Sequence, residues 1–174
     1  GANTYSGTTT INGGVLQVGN GSTSGTLGSG AVTNNASLVV NRSDAVTLSN
    51  TISGSGSFTQ AGAGTTTLSG SNSYTGATTI TSGVLNVTSL ANGGSSSNIG
   101  ASSNAATNLV LNGGTLQYTG STNASTDRLF SVGIGGGVID VDLGGQSLVH
   151  VGGGDMGQGR GARKCGEELG YPGV

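Results

Sequence analysis

Residues 3–18 read Asn-Thr-Tyr-Ser-Gly-Thr-Thr-Thr-Ile-Asn-Gly-Gly-Val-Leu-Gln-Val, and residues 72–87 read Asn-Ser-Tyr-Thr-Gly-Ala-Thr-Thr-Ile-Thr-Ser-Gly-Val-Leu-Asn-Val. Ten of the sixteen positions are identical without a gap, and the copies stand 69 residues apart. A recurring block bounded by Gly and filled with Thr, Ile, Val and Leu marks a stacked β architecture, in which each unit buries its apolar face against the next. Taking 69 residues as three coils of 23 predicts about seven coils over residues 1–151, a column of roughly 33 Å at the inter-strand spacing. Within the repeat, Ile11, Leu16, Ile80 and Leu85 are expected inside, with Asn12 and Gln17 outside.

Outside the two copies the same pattern persists. Leu38/Val40, Val46/Leu48, Leu85/Val87, Leu109/Leu111, Leu116/Tyr118, Ile139/Val141/Leu143 and Val149/Val151 stand two residues apart, the period of a strand. Gly, Ser, Thr and Asn supply 99 of the 174 residues, a bias that would suit a disordered chain. Two features oppose disorder: only twelve residues are charged and Pro occurs once, and the apolar residues are placed rather than scattered. Helix signals are nearly absent, because Gly interrupts almost every stretch; the one helix-favouring run is 161–169. No stretch approaches the roughly 20 apolar residues of a membrane-spanning helix. No basic patch followed by an apolar run opens the chain, which begins inside a repeat as a segment of a longer protein would.

A globular core is hard to build with no Trp, two Phe and four Tyr; a coil needs no large centre. Residues 54–70, Gly-Ser-Gly-Ser-Phe-Thr-Gln-Ala-Gly-Ala-Gly-Thr-Thr-Thr-Leu-Ser-Gly, form a second kind of block, whose glycines suit corners. A weaker third copy, Leu-Asn-Gly-Gly-Thr-Leu-Gln-Tyr at 111–118, echoes 11–18. The Ser- and Asn-rich segment 92–108 reads as an insertion projecting from one coil. At Gly152 the character changes: residues 152–174 hold six of the twelve charges and the sole Cys, Met and Pro. The chain therefore divides into 1–151, repeats, and 152–174, an atypical charged tail. That tail is either a linker or cap, or a non-native or disordered stretch foreign to the repeats.

Gly54, Gly56, Phe58, Gln60, Gly62, Gly64, Thr65, Thr66, Leu68 and Gly70 lead into Asn72, Tyr74, Gly76, Thr78, Ile80, Gly83 and Leu85. The second series recurs at Asn3, Tyr5, Gly7, Thr9, Ile11, Gly14 and Leu16. These blocks, strong over 1–18 and 54–87, resemble the passenger-associated transport repeat (autotransporter-associated β-strand repeat) of bacterial autotransporters. Phe58 and Gln60 stand where that family carries Leu and Lys. The resemblance implies an all-β fold, a right-handed parallel β-helix or β-solenoid. It also implies export through the periplasm and display on or secretion from the cell surface, with an outer-membrane β-barrel translocator, not in this chain, as partner. The absence of Cys from 1–151 agrees with threading through a narrow pore, which a disulfide loop would obstruct.

Chemistry is thinly represented, and the sequence assigns no catalytic, cofactor-binding or metal-ligating residue. Asp140 and Asp142 flank Val141 and share a strand face, as paired carboxylates do in β-helical polysaccharide-cleaving enzymes, but no second charged cluster accompanies them. His150 alternates with Val149 and Val151 and is expected outside. Gly-Gly-Gly-Val-Ile-Asp at 135–140 has Val where a calcium-binding nonapeptide has its third Gly, and it occurs once. Gly152, Gly154 and Gly157 match a dinucleotide fingerprint without a βαβ unit around them. The Asn-x-Ser/Thr triplets at Asn20, Asn35, Asn41, Asn86 and Asn123 are what this composition gives by chance. Arg42/Asp44 and Asp127/Arg128 read as local surface pairs of small value.

The Thr runs 8–10, 65–67 and 78–79 would form an ice-binding ladder only if Thr-x-Thr recurred on nearly every coil, and Val110-Leu111 breaks the series; Thr is also simply a good strand former. A net charge of −2 without a basic stripe argues against nucleic acid. The expected function is a structural stalk segment of an autotransporter passenger, not an enzyme. The alternative is an adhesive or self-associating surface fibre that binds host surface glycans or other copies of itself. An ice-binding solenoid and a β-helical enzyme fragment stand behind these.

Overall fold

The computed structural model describes residues 1–121 and 124–141 and the backbone of 150–151. The first turn of the coil carries β1 (Thr9–Ile11) and β2 (Val15–Ser22); the second carries β3 (Val32–Asn34), β4 (Ser37–Arg42) and β5 (Val46–Leu48). The third has β6 (Ile52–Ser53), β7 (Ser57–Gln60) and β8 (Thr65–Leu68), and the fourth β9 (Thr78–Ile80) and β10 (Val84–Val87). β11 (Leu109–Leu111) and β12 (Thr115–Tyr118) make the fifth turn, β13 (Ser131–Val132) and β14 (Val138–Val141) the sixth, and β15 (His150–Val151) follows.

Three sheets run along the column. The first face stacks β1-β3-β6, the second β2-β4-β7-β9-β11-β13, and the third β5-β8-β10-β12-β14-β15. Every pairing between these strands is parallel except that of β15 with β14, and an isolated antiparallel bridge joins Asn72 to Ser97. Residues 72–75 extend the first face into the fourth turn, Ser73 N donating to Ile52 O at 2.8 Å and Thr75 N to Gly54 O at 2.9 Å. The protein is an all-β parallel solenoid. Among the described residues the only helical element is a single 3-10 turn, Ala106–Asn108.

Strand alternation sorts the side chains. β4, β7, β8, β10 and β12 each alternate half-buried with buried positions. Stacking then lines up the buried ones: Leu38 over Phe58, and Leu48, Leu68, Val87 and Tyr118 down the third face. Burying one such side chain fully contributes about 1.5–3 kcal/mol, so a column only one aliphatic wide is stable when many turns share it. Corners are where glycine is required. Gly54 has φ +101, and a Cβ there would run into the backbone carbonyl of Asn34 on the turn before.

The coil departs from the expected arithmetic. The second face stacks six strands, so the described column has six turns rather than seven. Turn length is not a uniform 23: Thr65 pairs with Val84, Thr9 with Val32 and Thr78 with Leu109, intervals of 19, 23 and 31. Nor do the two repeat copies stand on the same faces. Ile11 pairs with Asn34 on the first face, whereas Ile80 lies on the second between Gln60 and Leu111. The sequence repeat thus spans three turns plus one face, because corners, not strands, vary in length.

Ile11, Ile80 and Leu85 are buried, and Asn12 and Gln17 exposed, as the alternation requires. Leu16 is only half-buried, because it belongs to the first turn and is covered from one side. The expected insertion accounts for the 31-residue turn, but it does not simply project. Ser97, Asn98, Ile99 and Ser102 within it are buried against the column. The helix-favouring run 161–169 and the whole tail 152–174 lie outside the described residues.

Candidate functional site

Among the described residues the outward column of the third face lines up polar side chains from five strands. Register stacks Thr47, Thr67, Asn86, Gln117 and Asp140 one above another. Asn86 Nδ2 donates to Gln117 Oε1 at 2.9 Å, and Gln117 Nε2 donates to Asp140 Oδ2 at 2.9 Å. Three successive turns are therefore joined by side chains on the outside as well as by backbone. Asp140 sits in this ladder, while its sequence partner Asp142 lies outside the described residues, as does the side chain of His150. Among the described residues no three His, Cys, Asp or Glu side chains gather as a metal site would need.

The glycine run near Asp140 serves as a corner. Gly133 N donates to Leu111 O at 2.7 Å, Gly135 N to Asn112 Oδ1 at 2.9 Å, and Gly113 N to Gly136 O at 2.8 Å. These bonds fix the bend between β13 and β14 on the corner below it. Gly152, Gly154, Gly157 and Asn123 lie outside the described residues. Asn20 and Asn35 are exposed, and Asn41 and Asn86 half-buried.

The threonine runs do not make a flat ladder. Thr66 and Thr78 point inward and are buried, Thr66 Oγ1 donating to Gln60 Oε1 at 2.6 Å. The outward column of the second face runs Gln17, Val39, Thr59, Thr79, Val110 and Ser131, mixing amide, aliphatic and hydroxyl groups. Polar side chains inside the coil were not anticipated from the sequence. Gln60 is 1% exposed, and its Nε2 donates to the carbonyls of Gly62 at 2.7 Å and Gly64 at 3.2 Å. Asn72 accepts from Ile52 N at 2.9 Å and donates to Asn98 O at 2.7 Å. Among the described residues no buried side-chain nitrogen or oxygen lacks a partner, which matters because an unpaired one costs about 1–3 kcal/mol.

The expected Arg42–Asp44 pair forms and the Asp127–Arg128 pair does not, and both arginines also staple more distant segments. Arg42 is buried and grips Asp44 with two bonds of 2.8 Å, while its other donors reach Gly25 O at 2.5 Å and Thr23 O at 2.7 Å. The hydrogen bond from Arg42 holds the Asp44 carboxyl below its ordinary pKa. Arg128, also buried, does not clasp its neighbour Asp127. Its guanidinium donates to Ser102 Oγ at 2.8 Å, Gly100 O at 2.9 Å, Ala91 O at 3.1 Å and Ser95 O at 3.2 Å. Asp127 faces the other way and accepts from Gly93 N at 2.7 Å. Together they fasten the insertion to the sixth turn. Desolvation lowers the Arg128 pKa from its ordinary value, with nearby Tyr74 and Asp127 opposing the shift.

The geometry offers stacked ladders and clamps that join successive turns. Among the described residues no helix is long and apolar enough to cross a membrane. Residues 1–18 and 58–87 match the passenger-associated-transport-repeat family. No curated protein and no solved structure matches the chain.

Proposed function

We propose, from the match of residues 1–18 and 58–87 to the passenger-associated-transport-repeat family, that the chain is a structural stalk segment of an autotransporter passenger displayed on or secreted from the bacterial cell surface. The observation that carries the reading is the continuity of the interior. Aliphatic side chains and fully bonded polar ones fill the described column from turn to turn, so the element's work is to hold shape and length. Its partner in this reading is an outer-membrane β-barrel translocator, and its route runs through the periplasm. The reading assigns it no enzymatic step, since its repeats are of a structural kind. The test joins the chain to such a translocator in a cell with an outer membrane. A folded, protease-resistant coil reachable by antibody on intact cells is expected; retention in the periplasm would refute the proposal.

One observation favours a second reading, an adhesive or self-associating fibre. The outward Asn86–Gln117–Asp140 ladder presents amide and carboxylate groups at regular spacing, and hydroxyl-rich glycans are recognised by such planar polar groups. Glycan-array binding that disappears with Gln117→Ala would establish it, and an empty array would leave the stalk alone.

A further inference from the structure

The triplet Asn-Gly-Gly occurs at 12–14, 92–94 and 112–114. An asparagine followed by glycine is open to cyclisation. The glycine nitrogen can attack the asparagine carboxamide carbon, and the missing Cβ removes the main steric obstacle to that approach. The triplets at 92 and 112 have the same reacting groups, and each makes the same two kinds of hydrogen bond. What distinguishes them is the chemistry of the partners.

At Asn112 both bonds run to backbone. Asn112 Oδ1 accepts from Gly135 N at 2.9 Å, and Gly113 N donates to Gly136 O at 2.8 Å. A peptide carbonyl holds the Gly113 proton but is far too weak a base to take it. At Asn92 both bonds run to one residue, Asp127. Asn92 Oδ1 accepts from Asp127 N at 3.1 Å, and Gly93 N donates to Asp127 Oδ1 at 2.7 Å. Here the acceptor is a carboxylate, a group that can take a proton and return it. The Asp127 N–H lies where negative charge gathers on the carboxamide oxygen during attack. Ser95 N donates to Asn92 O at 3.0 Å and holds the pair in a tight turn, while Asn92 itself is exposed and open to water.

We propose that Asn92 is a self-modification site, at which Asp127 catalyses loss of the side-chain amide. The Asp127 carboxylate takes the proton from Gly93 N as that nitrogen bonds to Asn92 Cγ. The Asp127 N–H holds the negative charge that forms on Oδ1. When this oxyanion collapses, the Cγ–Nδ2 bond breaks, and Nδ2 takes the proton from Asp127 and leaves as ammonia. The carboxylate is regenerated, and residues 92 and 93 are closed into a succinimide. Water then opens the ring at either carbonyl, giving aspartate or isoaspartate; nothing is oxidised or reduced. Either product adds a negative charge beside Asp127. Isoaspartate also lengthens the main chain next to Ala91, whose carbonyl accepts from Arg128 Nε at 3.1 Å, so the modification loosens the insertion from its arginine. The inference rests on the two triplets and stands independently of the stalk reading.

The test incubates the whole chain at neutral pH beside synthetic peptides copying 88–97 and 108–117, which supply the same triplets without the fold. Peptide mapping by mass spectrometry in heavy-oxygen water follows amide loss and marks residues that passed through the ring. Asn92 should react at least roughly tenfold faster in the folded chain than in its peptide, the low end of what a positioned base contributes. Asn112 should react more slowly in the chain than in its peptide. Asp127→Asn keeps an oxygen to receive the Gly93 N–H but removes the base, and should slow Asn92 at least roughly tenfold while leaving Asn112 unchanged. The comparison of chain with peptide needs no variant, so it decides the matter even if Asp127→Asn folds poorly. An Asn92 slower in the chain than in its peptide overturns the proposal, since Asp127 then shields the pair. So does an Asn92 that keeps its rate in an Asp127→Asn chain whose hydrogen-exchange protection is intact.

Discussion

Arg128 Nη1 lies 2.8 Å from Ser102 Oγ, a buried bond spanning 26 residues of sequence. It joins the sixth turn to an insertion whose other ties, such as Asn98 Nδ2 to Gly70 O and Ala101 N to Tyr74 O, run to the turns before it. A guanidinium donating to neutral oxygens is well suited to this, because its planar fork reaches several acceptors at once without titrating.

Arg128→Ala should therefore loosen the insertion selectively. Hydrogen bonds to a charged group contribute about 1.5–3 kcal/mol each, and although Thr126 Oγ1 still donates to Ala91 O and Ser97 Oγ to Gly100 O, the Ser95 carbonyl loses its arginine donor. Hydrogen exchange is expected to rise across 91–102 while β4, β7 and β8 keep their protection. Uniform exchange along the column would show that the arginine supports the coil as a whole instead.

Ile80 is fully buried at the middle of the second face, between Gln60 and Leu111 in register. Truncating it leaves a void that neighbouring turns cannot close without breaking their ladder. Ile80→Ala should cost about 2–5 kcal/mol, read as a lowered denaturant midpoint. The homologous Ile11→Ala, on the first turn, should cost less, because its site is covered from one side only. Equal losses would contradict the difference in cover between the two copies.

Much of this was legible beforehand and some could not have been. Pairs such as Leu38/Val40 and Leu85/Val87 fixed strands and their inward faces, since a period of two admits one reading once Gly marks the ends. Turn length was misread because sequence identity is strongest in strands, whereas the interval is set by corners, which lengthen freely on the surface. Inward Gln60, Asn72, Thr66 and Thr78 were invisible for a different reason. Alternation sorts apolar from polar, and a polar residue inside reads as outside until its partners are known. Arg128 looked like half of a surface pair with Asp127 because adjacency in sequence suggested it. Its real acceptors are brought to it by the insertion.

Gln60 gives the sharpest test of the polar interior. Its amide donates to two corner carbonyls and accepts from Thr66, so Gln60→Leu matches its bulk but takes the partner from Gly62 O and from the buried Thr66 hydroxyl, while Gly64 O keeps its bond from Val84 N. A loss of about 1–3 kcal/mol is expected. Gln60→Lys, the residue the related repeats carry there, should do better than Leu, since an ammonium can donate to both glycine carbonyls. Thermal melts of the two variants decide it, and a Leu variant as stable as the parent would mean these bonds contribute nothing net.

Tyr74 should make the coil sensitive to alkali. Burial pushes its phenol up from the ordinary value near 10, with the Thr78 hydrogen bond and Arg128 opposing. A group whose folded pKa lies above its unfolded one stabilises fully below the unfolded value, and that contribution is lost as pH rises toward the folded one. Above about pH 10 the unfolded chain releases the proton while the native chain keeps it, so stability falls by up to about 1.4 kcal/mol per pH unit. Tyr74→Phe removes the titrating group. It frees Thr78 Oγ1 from the phenol, but that hydroxyl still donates to Ile99 O at 3.3 Å, so the loss at neutral pH should be near 1 kcal/mol. Between pH 10 and 12 the two melting curves should converge and then cross. Parallel curves over that range would mean that the buried phenol does not titrate in unfolding.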